Sequence, residues 1–191
     1  MTRTFNHTIA TLASIGLLTL LACGGNGGGG TSTPTSATVL EYTNPADGTY
    51  KLVKDDSSTG THLVLNLMGP DVVLSGVGFY LNADATKVTW ADVSGGAKVA
   101  SATFTTPVIA AKVTGDQLQG GVYQKGSAVL AVTADPTTVL ATVALDLKTG
   151  VPANSPVTLS SVNGKCVILE GPGGATATTP ITIAVGELVA R

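Results

Sequence analysis

Apolar residues recur at every second position in stretch after stretch of this chain, with turn signals between the stretches. Leu63, Leu65 and Leu67 alternate with His62, Val64 and Asn66, and Val77, Phe79 and Leu81 alternate with Gly78, Tyr80 and Asn82. Val139, Ala141, Val143, Leu145 and Leu147 alternate with a second set that ends in Asp146 and Lys148. A period of two sets one face of a strand on a core and the other toward solvent. Further strands are expected over 38–43, 49–54, 87–93, 98–104, 108–114, 127–133, 157–162, 166–170 and 181–190. Asn44-Pro45, Asp47-Gly48, Gly69-Pro70, Gly95-Gly96, Gly120-Gly121, Asp135-Pro136 and Gly171-Pro172-Gly173-Gly174 read as turns between them. Asn163-Gly164, between two apolar runs, reads as a two-residue hairpin. No stretch beyond residue 36 carries a capped apolar stripe at helical spacing. The expected fold is all-β: a two-sheet, jelly-roll-like β-sandwich of about nine strands.

The first residues follow another logic. Arg3 precedes an uncharged apolar run from Ile9 to Ala22, which closes on Leu20-Leu21-Ala22-Cys23 and opens into Gly24-Gly25. A basic start, a short apolar core and a small residue before the cut make a secretory signal peptide over residues 1–22. The quartet resembles the bacterial lipobox, which implies cleavage before Cys23 and acylation of that cysteine. Anchoring to a lipid bilayer through Cys23 is then expected, in the outer membrane if the host is Gram-negative. Residues 23–36 join the acylated Cys to a Gly, Ser and Thr tether whose thirteen flexible residues span roughly 20 Å as a random coil. The folded domain is expected over 37–191.

Charge narrows the partners. Only 12% of residues are charged and the formal net charge is −2, so the chain has no electrostatic footprint for nucleic acid. With Cys23 acylated, Cys166 has no internal disulfide partner. Its setting in Lys165-Cys166-Val167-Ile168-Leu169 reads as a small buried apolar residue.

Two segments go beyond generic sandwich patterning. Gly76-Val77-Gly78-Phe79-Tyr80-Leu81-Asn82-Ala83-Asp84-Ala85-Thr86-Lys87-Val88-Thr89-Trp90 resembles the early strand pair of cohesin domains, in which an apolar strand bearing a Phe turns an acidic corner. Thr138 to Lys148, followed by Gly150 and Pro156-Val157-Thr158-Leu159, is similar to a late cohesin strand and its loop. Ile181 to Val189 looks like the closing strand. Asp84 fits the corner acid, whereas Ala83 and Ala85 stand where Tyr and Pro are usual, and Ala144 and Leu145 where a bulkier aromatic is common. The resemblance implies a non-catalytic binding module, with a dockerin-like protein as partner and cell-surface assembly as its setting. It implies no cofactor. The chain has no Asp-x-Asn-x-Asp-Gly loop of its own, so it is not the calcium-binding side of such a pair. A single module of this kind is expected to be monomeric.

The side chains themselves offer little chemistry. His62 is the one histidine after the signal peptide, with no Cys, His or Glu at metal spacing beside it, and no Gly-x-Ser-x-Gly elbow is present. Asp55-Asp56, Asp71, Asp84, Asp92 and Asp116 are available in principle to hydrolyse a glycoside, but adjacent Asp residues in a polar turn usually just face water. No spacing singles out a metal site, and none is assigned. An enzyme is not expected. A carbohydrate-binding module is the chief alternative, because pyranose rings stack on aromatic side chains, and a purely structural envelope protein is another. Tyr80, opposite in direction to Phe79, is the first candidate for such a face, with Tyr123 as a third member and Trp90, at the end of the next strand, either near Tyr80 or half-buried within the sandwich.

Overall fold

Strands account for the regular structure, and each runs between turn residues. The computed structural model describes residues 35–125, 131–171 and 177–191. In chain order its strands are β1 (Leu40–Thr43), β2 (Tyr50–Lys54), β3 (His62–Met68), β4 (Val72–Ala83), β5 (Val88–Ala91) and β6 (Val99–Ala100). They continue as β7 (Pro107–Thr114), β8 (Gln117–Gln124), β9 (Val132–Ala134), β10 (Val139–Leu147) and β11 (Ser155–Val157). The last are β12 (Leu159–Ser161), β13 (Cys166–Glu170), β14 (Ala177–Ile181), β15 (Ile183–Ala184) and β16 (Glu187–Ala190). The signal peptide, Cys23 and nearly all of the tether lie outside the described residues.

Two large sheets carry the sandwich. One runs β15-β2-β3-β10-β5, with β6 beside β10; the other runs β14-β13-β4-β8-β7, with β9 and β12 beside β4. A smaller third sheet, β1-β16-β11, joins the first strand to the last. The two alternating runs that are clearest in sequence become the spines. β10 pairs with β3, β5 and β6, and β4 pairs with β8, β9, β12 and β13. Their inward residues meet in one core: Leu65, Leu67 and Leu145 from one sheet, Val77, Phe79, Leu81, Leu118 and Ile168 from the other, all nearly inaccessible to solvent. Burying each such side chain contributes about 1.5–3 kcal/mol, so this alternation is what holds the two layers together.

Sixteen strands rather than about nine are described, and the reason is interruption of longer passes. The pass 155–170 begins against β16, leaves it at Thr158 and continues against β4. Residues 177–190 pair in turn with β13, β2 and β1, so the single closing strand expected over 181–190 is three short ones, with β14 beginning earlier, at Ala177. Of the strand expected over 98–104, only Val99–Ala100 forms. Of that expected over 127–133, residues 127–130 lie outside the description and β9 takes up 132–134.

Two turn signals mean something else in three dimensions. Asn163-Gly164 does not close a hairpin. β12 and β13 run in one direction along one edge of β4, Ser161 opposite Leu81 and Val167 opposite Gly78, so 162–166 bulge out where β4 supplies only Tyr80 and Phe79. Val162 N–H still donates to Tyr80 C=O at 2.8 Å, and Gly164 takes the positive φ of 73° that the bulge needs. Gly120-Gly121 lies in the middle of β8, paired with Phe79 and Gly78. The reversal ahead of β8 is instead Gly115-Asp116, a two-residue turn led by Gly115 at φ 62°.

Candidate binding face

The outer face of the β14-β13-β4-β8-β7 sheet is built on glycine. Gly76 and Gly78 of β4 and Gly121 of β8 point their missing side chains outward, and the ring of Tyr123 lies flat across all three. A Cβ on Gly76 would stand 2.6 Å from the Tyr123 ring, and one on Gly78 2.9 Å from its hydroxyl. Gly121 makes the same room, with the ring 2.7 Å from where its Cβ would be. An ordinary side chain at any of these positions would stand the tyrosine up.

Around this floor opens a hollow of about 390 Å³, bounded by Tyr80, Lys112, Gln119, Tyr123, Lys165 and Val167. β4 places Tyr80 next to Gln119 of β8, and Gln119 next to Lys112 of β7, by register. The Lys165 ammonium sits 5.4 Å from the Tyr80 ring centroid, within cation–π range. Gln117 Nε2 donates to Asn82 Oδ1 at 3.0 Å, and Gln119 Nε2 donates to Gln117 Oε1 at 3.2 Å. Among the described residues, neither Lys112 nor Lys165 has an ion-pair partner. The face is thus shallow, open and mixed in polarity, with two uncompensated cations.

Tyr80 and Tyr123, both half-buried, share this face. Trp90 does not, and the expected Tyr80–Trp90 pair is corrected here. β5 belongs to the other sheet, where Trp90 lies opposite Leu145 and is 6% exposed. Its Nε1–H donates to the carbonyl of Asp116 at 2.9 Å, which ties β5 to the β7–β8 turn. Adjacency in sequence put Trp90 on the strand after Tyr80 but could not say that this strand belongs to the other sheet. Gln117 and Gln119 were missed because Gly120-Gly121 mimicked a turn and hid β8, and Lys112, inside the strand expected over 108–114, was missed because its neighbours on this face come from β8.

Several of the other candidate groups are spent on structure. Asp84 Oδ1 accepts from Thr86 N–H at 3.0 Å and from its hydroxyl at 2.5 Å, while Lys87 Nζ lies 2.9 Å from Oδ2. These partners stabilise the anion and hold its pKa at about 2 rather than 3.8. Asp55 and Asp135 close the same kind of turn on Ser57 and on Thr137, and their pKa values are lowered by those donors. His62 Nδ1 lies 2.6 Å from Asp146 Oδ1 across β3 and β10, and no hydroxyl or thiol bonds to the ring among the described residues. Cys166 is buried, with its sulfur 3.7 Å from the carbonyls of Tyr80 and Val162, and burial pushes its thiol pKa up. Nowhere among the described residues do three His, Cys, Asp or Glu side chains converge to hold a metal ion.

No protein-family model and no curated protein sequence matches the chain. Solved structures do. The sixth cohesin of the Acetivibrio cellulolyticus scaffoldin B, in complex with a mutant Cel5 dockerin, superposes with a TM-score of 0.54 at 13% identity, over 74% of this chain and 97% of that one. The domain has a cohesin-like fold. A type II cohesin module from the adaptor scaffoldin of the same organism gives 0.54 at 10% identity, covering 80% of this chain and 96% of its own. A cohesin module of Clostridium acetobutylicum, solved in solution, gives 0.52 at 12% identity, with 75% and 91% covered. The cohesin-like fold holds across the sandwich although little sequence is shared.

Proposed function

We propose that this cohesin-like domain is a non-catalytic protein-binding module, and that it docks its partner on the outer face of the seven-stranded sheet. The observation that carries the reading is the character of that face. Tyr123 pressed flat on three glycines leaves a level surface, suited to a large partner rather than to a small enclosed ligand. Lys112 and Lys165 lie uncompensated on it, so the complementary surface is acidic or rich in carbonyl acceptors. The Acetivibrio cohesin described above was solved with a dockerin bound, and a dockerin-like protein is the partner class we propose here. Attachment to the membrane through acylated Cys23, with residues 23–36 as a tether, would present the face to partners at the cell surface.

A polysaccharide ligand is the second reading, favoured by Tyr80 and Tyr123 lying on one face. Its weakness is the loss of Trp90 to the core, which leaves two half-buried rings and no three-ring strip.

The test is capture by the compact unit Pro34–Arg191 from the host's secreted proteins, beside a panel of insoluble polysaccharides. Wild type and a Lys112→Glu, Lys165→Glu variant are run in parallel. Capture of a protein by the wild type, lost in the variant, is the expected result. Retention on polysaccharide with no protein captured would overturn the proposal in favour of the second reading. Cys23→Ser, followed by labelled palmitate incorporation and membrane fractionation, tests the anchor separately.

A further inference from the structure

β7 is the outer strand of its sheet, paired with β8 on one side and with no strand on the other among the described residues. It keeps regular register over eight pairs without a bulge. Seven of its eight residues are exposed, including Val108 at 47%, Ile109 at 39% and Val113 at 40%. Edge strands of soluble proteins are ordinarily short, bulged or heavily charged, because free backbone groups recruit other strands. This one is long and flat, with Lys112 as its single charge.

The direction of its free groups follows from the ladder. Lys125 N–H donates to the carbonyl of Thr106, one step beyond the Pro107–Gln124 pair. Backbone groups alternate in direction along an antiparallel strand, so the even-numbered residues of β7 turn toward β8. The N–H and C=O groups of Ile109, Ala111 and Val113 therefore point away from the sheet.

We infer that β7 pairs with the β7 of a second copy of this chain, antiparallel and centred on Ala111. A two-fold seam must set outward residues opposite outward residues, which leaves few registers. Centring on Ala110 draws Pro107, which has no N–H, into the ladder opposite Val113. Centring on Lys112 opposes two ammonium groups, which is destabilising. Centring on Ile109 or on Val113 shortens the overlap and brings in Pro107 or the Gly115 turn. Centring on Ala111 sets Ile109 opposite Val113 twice, Ala111 opposite itself, Val108 opposite Thr114 and Lys112 opposite Ala110. No cross-strand pair then opposes two charges.

The pairing makes one continuous sheet, with both outer faces on the same side. The module becomes bivalent toward partners at a surface, which raises avidity without any new contact. It departs from the monomer expected from the sequence. It goes beyond the proposed function and does not depend on it, because dimerisation is read with no partner present.

The first measurement uses the full chain under mild oxidation, with Cys23 and Cys166 left in place as background. Opposed Cα atoms in a hydrogen-bonded antiparallel pair are about 5.5 Å apart, within disulfide range. Ala111→Cys is expected to give a cross-linked dimer on a non-reducing gel, and Ala110→Cys, which faces Lys112 of the other copy, is not. The second measurement is sedimentation of Pro34–Arg191, whose mass should double as concentration rises. Ile109→Lys with Val113→Lys should hold it at the monomer mass, and Ile109→Lys with Val113→Glu should restore the doubling. That rescue separates a broken seam from a broken fold. A monomer at every concentration with no Ala111→Cys cross-link overturns the inference, as does a dimer indifferent to the two-lysine variant. Protection of the Ile109, Ala111 and Val113 amides only on adding another protein would overturn it too, and would assign the edge to that protein's strand.

Discussion

Phe79 lies directly opposite Gly120 in the β4–β8 ladder, and its ring occupies the space a Gly120 side chain would need. Gly121, one residue on, clears the other face of the sheet for the Tyr123 ring. Two adjacent glycines thus serve two aromatics on opposite faces of one strand. The inner one lets Phe79, the largest of the fully buried side chains, lie across its neighbour, and the outer one levels the candidate face. Glycine inside a strand weakens it and marks a close approach; here the approach is by rings.

Gly120→Ala forces the Phe79 ring out of its position in a core that has no slack. Overpacking of this kind costs about 1–3 kcal/mol, and urea unfolding should show a lower midpoint with an unchanged slope, the two together giving a loss of that size. Gly121→Ala strikes only the outer ring. It should leave stability nearly unaltered while lifting Tyr123, read as a rise in its accessibility to a fluorescence quencher. If both substitutions destabilise equally, the division of labour between the two glycines is wrong.

How much of this was legible in the sequence depends on the strand. β4 and β10 are readable because Val77, Phe79, Leu81 and Val143, Leu145, Leu147 alternate without interruption, and each pairs with several partners. β8 is not, because Gly120 and Gln124 interrupt the inward face marked by Leu118 and Val122, and its two glycines look like a reversal. The bulge at Asn163-Gly164 has the composition of a hairpin, and only pairing with β4 tells the two apart. The candidate face was half visible: the direction of Tyr80 follows from that of Phe79, but its neighbours arrive by register from β7, β8 and the bulge before β13. Trp90 had the right periodicity for either sheet. Periodicity gives the side of a strand, not its place in a stack.

Tyr42 joins three segments through one hydroxyl. It donates to the carbonyl of Leu52 at 3.0 Å and accepts from Gly186 N–H at 2.7 Å, with the ring buried. That burial pushes the phenol pKa upward. Tyr42→Phe leaves the Gly186 N–H and the Leu52 carbonyl without their partner, at a cost of about 1–3 kcal/mol. Gly186→Ala is harsher, because its Cβ would overlap the carbonyl of Thr43. We expect it to cost at least as much as the larger end of that range and to free β1 and β16 first. Hydrogen exchange would show this as lost protection from Leu40 to Thr43 and from Glu187 to Ala190 before the rest of the sandwich.

Asp84 makes stability depend on acid. Its pKa is held at about 2 against an ordinary 3.8, so the folded protein binds that proton less readily than the unfolded chain does. The stabilisation is complete above the ordinary value and is lost as pH falls through the folded one. Asp84→Asn keeps one oxygen for Thr86 but gives up the ion pair with Lys87. It should cost about 1–2 kcal/mol near neutral pH, with the difference from wild type shrinking between about pH 4 and about pH 2. A gap that stayed constant across that interval would show that the carboxylate charge is not the cause.

Lys112 and Lys165 should act mainly on the encounter with a partner. Both are cations without a carboxylate neighbour among the described residues, and they flank the hollow over Gly78 and Gly121 from β7 and from the bulge before β13. Exposed charges of this kind steer association and are screened by salt. Reversing either one with Glu should slow association by about tenfold at low ionic strength and by much less at high salt, with dissociation nearly unchanged. The Lys165 variant should show a second effect, because it also removes the cation over the Tyr80 ring. Loss of that contact frees the ring to move, so dissociation should quicken for Lys165→Glu but not for Lys112→Glu. Association and dissociation rates, measured by surface plasmon resonance against the captured protein at two salt concentrations, separate the steering charge from the one that also holds an aromatic in place.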